Sequence, residues 1–217
     1  MVAAALVISS SAVAAQPRKS AEDLLLDALV YGATAEEIRD IEAQRYPQDL
    51  RPRIENYKVR FAQFQSRLPR PRTRSAELEM VWLARVNYER KLFSIARGAG
   101  AAEEAASFVM ALEPCYEWEG DHGCPEKEAV FARTYLREHP GSALRDYLPL
   151  LEAHRWQCVS DAYLYEKKPA DAAQTRPEYL EAVERATRVA DPLVRFAAHR
   201  LSARASCLAP GLSPNSQ

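Results

Sequence analysis

Apolar positions recur along this chain at intervals of three and four, the spacing of one helix face, and no run alternates with a period of two. Ser20-Ala21-Glu22-Asp23 is a capping box ahead of Leu24, Leu25, Ala28 and Leu29, and Gly32 stops that helix. Thr34-Ala35-Glu36-Glu37 repeats the device and opens a short helix through Arg45, with Pro47 beyond its end. Ile54, Tyr57, Phe61, Phe64 and Leu68 lay one aromatic stripe along a helix over about 52–68, a stripe that reads as core. In Leu68-Pro69-Arg70-Pro71-Arg72-Thr73-Arg74, two prolines without backbone donors break the helix and leave a linker.

Ser75 caps a long helix over 76–97 that carries Leu78, Trp82, Leu92 and Ile95 and ends at Gly98 and Gly100. An alanine-rich helix over 101–112 is closed by Pro114. The next begins at Cys124-Pro125, where a proline in the first turn costs no hydrogen bond and Glu126 and Glu128 suit the helix dipole, and it runs to His139. A helix over 143–167 contains Pro149 and should bend there. Helices over 177–189 and 192–206 make a final pair joined at Asp191-Pro192. About nine helices, with seven glycines in the whole chain, predict an all-α fold of stacked antiparallel helical hairpins, either an irregular bundle or an α-solenoid.

The stretch from Glu128 to Ser142, EAVFARTYLREHPGS, resembles the second helix of a tetratricopeptide repeat: a small residue, aromatics, a leucine and a closing proline before serine. Glu181 to Pro192 echoes it. Pro140 and Pro192 lie fifty-two positions apart, where that family repeats every thirty-four, and no Trp-Leu-Gly signature precedes either. The resemblance covers about a quarter of the chain and implies stacked helical hairpins.

The first seventeen residues, MVAAALVISSSAVAAQP, form an uncharged apolar run ending in Val13-Ala14-Ala15, which reads as a secretory signal at 1–15 even though no Lys or Arg precedes its apolar part. The expected organisation is a single all-α domain over 16–209, with a possible subdivision near 98–114, and a disordered tail at 210–217. An even number of cysteines in an exported chain points to disulfides. Of the three pairings that four cysteines allow, Cys115 with Cys124 and Cys158 with Cys207 is the expected one. The first two are close in sequence and the others fall on predicted helices.

Reactive side chains concentrate in EPCYEWEGDHGCPEKE, residues 113–128, with two cysteines, a histidine and six acids. Zinc would need cysteines two to four residues apart, whereas Cys115 and Cys124 have eight residues between them and would bond to each other in an oxidising compartment. Glu117, Glu119, Asp121 and Glu128 occupy calcium-ligand positions of an EF-hand register. His122, however, stands where the turn requires glycine. These four are therefore calcium candidates, against the simpler reading of a solvated acidic face. His154 is the catalytic candidate, a general base on one helix face with Tyr147, Leu151, Cys158 and Tyr165. Phosphate-binding, dinucleotide, nucleophile-elbow and paired-histidine motifs are absent, and no cofactor is expected.

Charge is unevenly spread. Residues 45–97 carry thirteen Lys and Arg against five acids, and residues 101–128 carry eight acids against one Lys. Arg67, Arg70, Arg72 and Arg74 form the candidate binding surface, because guanidinium forks suit carboxylate or phosphate. The competing explanation is that these arginines meet the protein's own acids or water, in a chain with twenty-three arginines and six lysines. The expected function is an exported binding or scaffold module for a protein or anionic component of the cell envelope, in the periplasm or outside the cell. Nucleic acid is not an expected partner, no membrane-spanning segment is expected after signal removal, and the sequence sets no oligomeric state. The alternative is an envelope hydrolase or lyase acting on cell-wall glycan through His154 or the acidic loop 113–128.

Overall fold

Four helix starts are fixed by an N-cap side chain that accepts the first free backbone N–H groups. Ser20 takes Asp23 N at 3.1 Å, Thr34 and Glu37 form a reciprocal capping box, Ser75 takes Leu78 N at 3.2 Å, and Asp191 takes Leu193 N at 2.9 Å. The computed structural model describes residues 20–72, 75–115 and 120–207, which form nine α-helices and one 3-10 turn with no strand among them. The elements are α1 (Ala21–Val30), α2 (Ala35–Asp40), the 3-10 turn (Ala43–Arg45), α3 (Arg51–Gln63), α4 (Ala76–Ile95), α5 (Ala101–Ala111), α6 (Gly123–Glu138), α7 (Leu148–Tyr165), α8 (Pro169–Ala186) and α9 (Pro192–Ser202). The signal and tail assignments, with Thr73, Arg74 and residues 116–119, lie outside the described residues.

Helical hairpins build the molecule. α6 packs on α7 and α7 on α8, α4 pairs with α5, and α1 is covered by α9. Leu25, Leu26, Leu29, Ile54, Tyr57, Leu92, Phe108, Leu148, Leu151, Leu193 and Leu201 belong to one continuous apolar cluster. α7 is the central element, and every residue from 148 to 159 on it is buried. Two disulfides staple the hairpins as the sequence suggested, Cys115–Cys124 and Cys158–Cys207. No helix among the described residues is long and apolar enough to cross a membrane.

Four boundaries differ from the sequence reading, each for a local reason. The helix expected through Arg45 ends at Asp40, and Lys58 Nζ donates to the freed carbonyl of Ile41 at 2.9 Å. The helix expected to reach 68 stops at Gln63, because the buried Glu89 carboxylate captures Ser66 Oγ at 2.6 Å and Arg67 N at 3.0 Å, pulling the chain off the helix axis. The predicted helix over 143–167 begins only at Leu148, so Pro149 sits in its first turn, where its missing N–H costs no hydrogen bond. Its upstream loop is instead held by Glu104, which accepts Ala143 N at 2.8 Å and the Ser142 hydroxyl. Pro177 was expected to start a helix, yet it lies inside α8, which begins at Pro169.

Candidate functional site

A helix buried all round must find partners for its polar side chains, since an unpaired buried charge costs several kcal/mol. On α7 these are Glu152, His154, Arg155 and Gln157. Glu152 accepts Arg133 Nε from α6 at 2.6 Å and Arg185 Nη2 from α8 at 2.5 Å. Both arginines continue outward on α8, Arg133 to Glu178 and Arg185 to Glu181 at 2.8 Å. The three-helix core is thus cross-linked by alternating charge.

One turn along α7, Arg155 Nε binds the completely buried carboxylate of Glu128 on α6. Glu128 also accepts Cys115 N at 2.8 Å and the Tyr88 hydroxyl at 3.0 Å, and Arg155 Nη2 reaches that same hydroxyl at 3.2 Å. Burial by itself would raise the Glu128 pKa. The Arg155 charge, the Cys115 N–H and the charge of Lys91 outweigh it and hold the group below its ordinary value. Arg155 Nη1 lies 2.8 Å from His154 Nδ1, and because a guanidinium only donates, that nitrogen is the acceptor and the ring proton is on Nε2. Burial, followed by the charges of Arg155, Lys91 and Arg204, pushes the His154 pKa well below its usual value, against a hydrogen bond to the Cys207 backbone. A continuous buried chain therefore runs from the Cys115 amide through Glu128, Arg155 and His154 to Cys207, joining one disulfide to the other.

His154, the catalytic candidate of the sequence, is the neutral end of that chain. It has no exposed surface, packs edge-on to Tyr31 with ring centroids 4.5 Å apart, and offers no free nitrogen. Tyr147 is not beside it in a hydrogen bond, because its hydroxyl donates to Leu29 O at 2.7 Å. His154, Cys158 and Cys207 bring potential metal-binding atoms within 4.8 Å of one another, yet the two sulfurs are bonded together and the imidazole is engaged at both nitrogens.

The calcium candidates separate. Glu128 faces inward to Arg155, Asp121 accepts Gly123 N at 2.9 Å and Cys124 N at 3.2 Å at the start of α6, and Glu117 and Glu119 lie outside the described residues. His122 pairs with Glu166 at 2.7 Å and stacks on Tyr163. Of the arginine surface, Arg67 meets Glu103 at 2.7 Å and Arg70 meets Glu79 at 2.8 Å, both exposed, while Arg72 is exposed and Arg74 is not described. Arg70 also lies 5.4 Å from the centre of the Trp82 ring.

Arg70 borders a surface that the periodicity did not single out. The first half of α4 exposes Leu78, Met80 and Leu83, the last of them 46 % accessible. Farther along, a polar cleft of about 390 Å³ opens between the α4–α5 turn and the α6–α7 connection, with Arg97, Glu104, Arg145 and Asp191 on its walls. Arg53 braces its floor by donating to Asp191 at 2.7 Å and to Ile95 O at 2.5 Å. Sequence reasoning missed Glu152, Arg155 and Lys91. The available signal was the segment 148–159, in which charged residues interrupt a helix with no polar face. No protein-family model, curated protein or solved structure matches the chain.

Proposed function

We propose that this protein is an exported binding module that docks an acidic protein surface of the cell envelope on the first half of α4 and the arginine loop beside it. The observation that carries the reading is the exposure of Leu78, Met80 and Leu83 along the first half of α4, with Arg70 of the preceding loop laid onto Glu79 and the Trp82 ring of the same half. Exposed apolar residues rimmed by charge are how protein-binding surfaces differ from ordinary ones. A mixed apolar and basic face suits an acidic protein better than a polysaccharide, which offers little to Leu83. Two disulfides support an oxidising compartment. The glycan-hydrolase alternative draws no support from His154, whose buried, neutral ring has both nitrogens engaged.

A photo-crosslinking amino acid at Met80, introduced in cells that make the protein, tests this. A discrete cross-linked species is expected, and it should fall severalfold with Arg70→Glu plus Arg72→Glu and with Leu83→Asp, but not with Leu164→Asp, an exposed position on α7. A cross-link that survives both the charge reversal and Leu83→Asp rejects the reading.

A further inference from the structure

Between the end of α1 and the middle of α4 lies a cleft of about 260 Å³, lined by Tyr31, Thr34, Glu37, Asn87, Arg90 and Lys91 among others. Lys91 is only 2 % exposed although it borders this opening. Its Nζ donates to the carbonyl of Val30, the last residue of α1, at 2.9 Å, and sits 3.8 Å from the centre of the Tyr88 ring. Among the described residues no carboxylate lies within ion-pairing distance of it, so the amine is buried on a backbone carbonyl and an aromatic face. Arg90, its neighbour on the same cleft, has its guanidinium 5.3 Å from the Phe61 and Phe64 rings and makes no ion pair among the described residues. Asn87 stands one helical turn before them.

We propose that this cleft captures small carbonyl compounds: the Lys91 amine forms an imine with an aldehyde or α-oxo acid whose carboxylate lies against Arg90. The Nζ lone pair attacks the carbonyl carbon, and the carbon–oxygen π electrons move to oxygen. In the resulting carbinolamine one nitrogen proton has passed to that oxygen, and a second proton taken from solvent lets it leave as water, so that the C=N nitrogen retains its last N–H. The step needs no oxidant and no cofactor. A protonated imine keeps one N–H, enough to go on satisfying Val30 O.

The amine is in the reactive form near neutrality. Burial, then the charge of Arg155 on α7, lowers its pKa to about 7, against the opposing charge of Glu128 on α6. His154 on α7, Tyr88 and Arg90 on its own helix, and Tyr31 and Glu37 from the α1–α2 side are the other titratable and charged groups around it. Exposed Lys127 and Lys168 instead sit in ion pairs with Glu113 and Glu166.

The test uses glyoxylate as the probe with cyanoborohydride, which reduces the imine to a stable carboxymethyl amine, on the intact disulfide-bonded protein at pH 7, read by peptide mass spectrometry. Lys91 is expected to be labelled at least ~tenfold faster than Lys168, whose hydrogen bond to Glu166 raises its pKa. The Lys91 rate should level off above pH 7 while that of Lys168 keeps rising. Arg90→Ala should slow Lys91 severalfold and leave Lys127 unchanged. Lys91 unlabelled, or labelled no faster than the exposed lysines of the wild-type protein, overturns the proposal. An Arg90→Ala variant that stays folded by near-ultraviolet circular dichroism and labels Lys91 at the wild-type rate overturns the carboxylate subsite.

Discussion

Glu128 has no contact with water and answers for one buried guanidinium, one amide and one phenol. Replacing it with Gln leaves Arg155 buried without its counter-charge, and losing one partner of such a pair costs ~3–5 kcal/mol. For a domain of this size that is a fall of roughly 6–20 °C in Tm, to be read by thermal denaturation. Replacing both partners by apolar residues of similar volume, Glu128→Met with Arg155→Leu, should recover most of the loss, since the cost lies in the orphaned charge. His154 sets a second expectation. Its folded pKa lies below the unfolded one, so the unfolded chain binds a proton that the fold refuses as pH drops through about 6.5. Stability should therefore decline by ~1.4 kcal/mol per pH unit below that point. Urea denaturation from pH 7 to 5 should show a smaller slope for His154→Gln. Glu128 acts at lower pH: its contribution is present above its unfolded value and disappears as pH falls through the depressed folded one. None of this was readable from position. A charged residue reads as solvent-facing until its partner is known, and Arg155 lies twenty-seven residues from Glu128 on another helix.

At the scale of elements, capping chemistry was the most legible part of the sequence. Ser20, Thr34, Ser75 and Asp191 each begin a helix with the side-chain contact their residue type favours, because a cap is settled within four residues. Prolines were less legible, because the same residue can open a helix or interrupt one. Pro149 opens α7 and Pro177 interrupts α8, and the packing of α8 along α7 makes that difference. Pro177 is exposed, so its defect is local: Pro177→Ala should stabilise the protein by ~1–3 kcal/mol by restoring an N–H to α8. An unchanged urea midpoint would show that α8 has already relaxed around the proline. The projecting half of α4 escaped notice because Leu78, Trp82 and Ile95 share helical spacing. Whether a stripe is core or surface depends on how far the neighbouring helix extends, and α5 ends at Ala111.

For the whole molecule, the two staples differ in reach. By loop-closure entropy the Cys115–Cys124 bridge contributes about 3 kcal/mol and Cys158–Cys207 about 4 kcal/mol. Cys115→Ala with Cys124→Ala should nonetheless cost as much as the longer bridge, because it also loosens the Cys115 amide from Glu128. Denaturation of the two double variants compares them directly, and a loss near 3 kcal/mol or below would show that the amide stays in place without its bridge.

The pairing of α1 with α9 has a consequence in time. Arg200 in the last turn of α9 and Arg204 just beyond it hold Asp23 and Asp27 on α1, at 3.0 Å and 2.6 Å, while Leu25, Leu26 and Leu29 pack into the core. A chain made from its N-terminus displays those leucines long before α9 exists. At ~5–20 residues per second the wait is roughly ten to thirty seconds. During that interval the segment LLLDALV is a ready target for a holding chaperone, and the native fold cannot close until synthesis has passed the ninth helix.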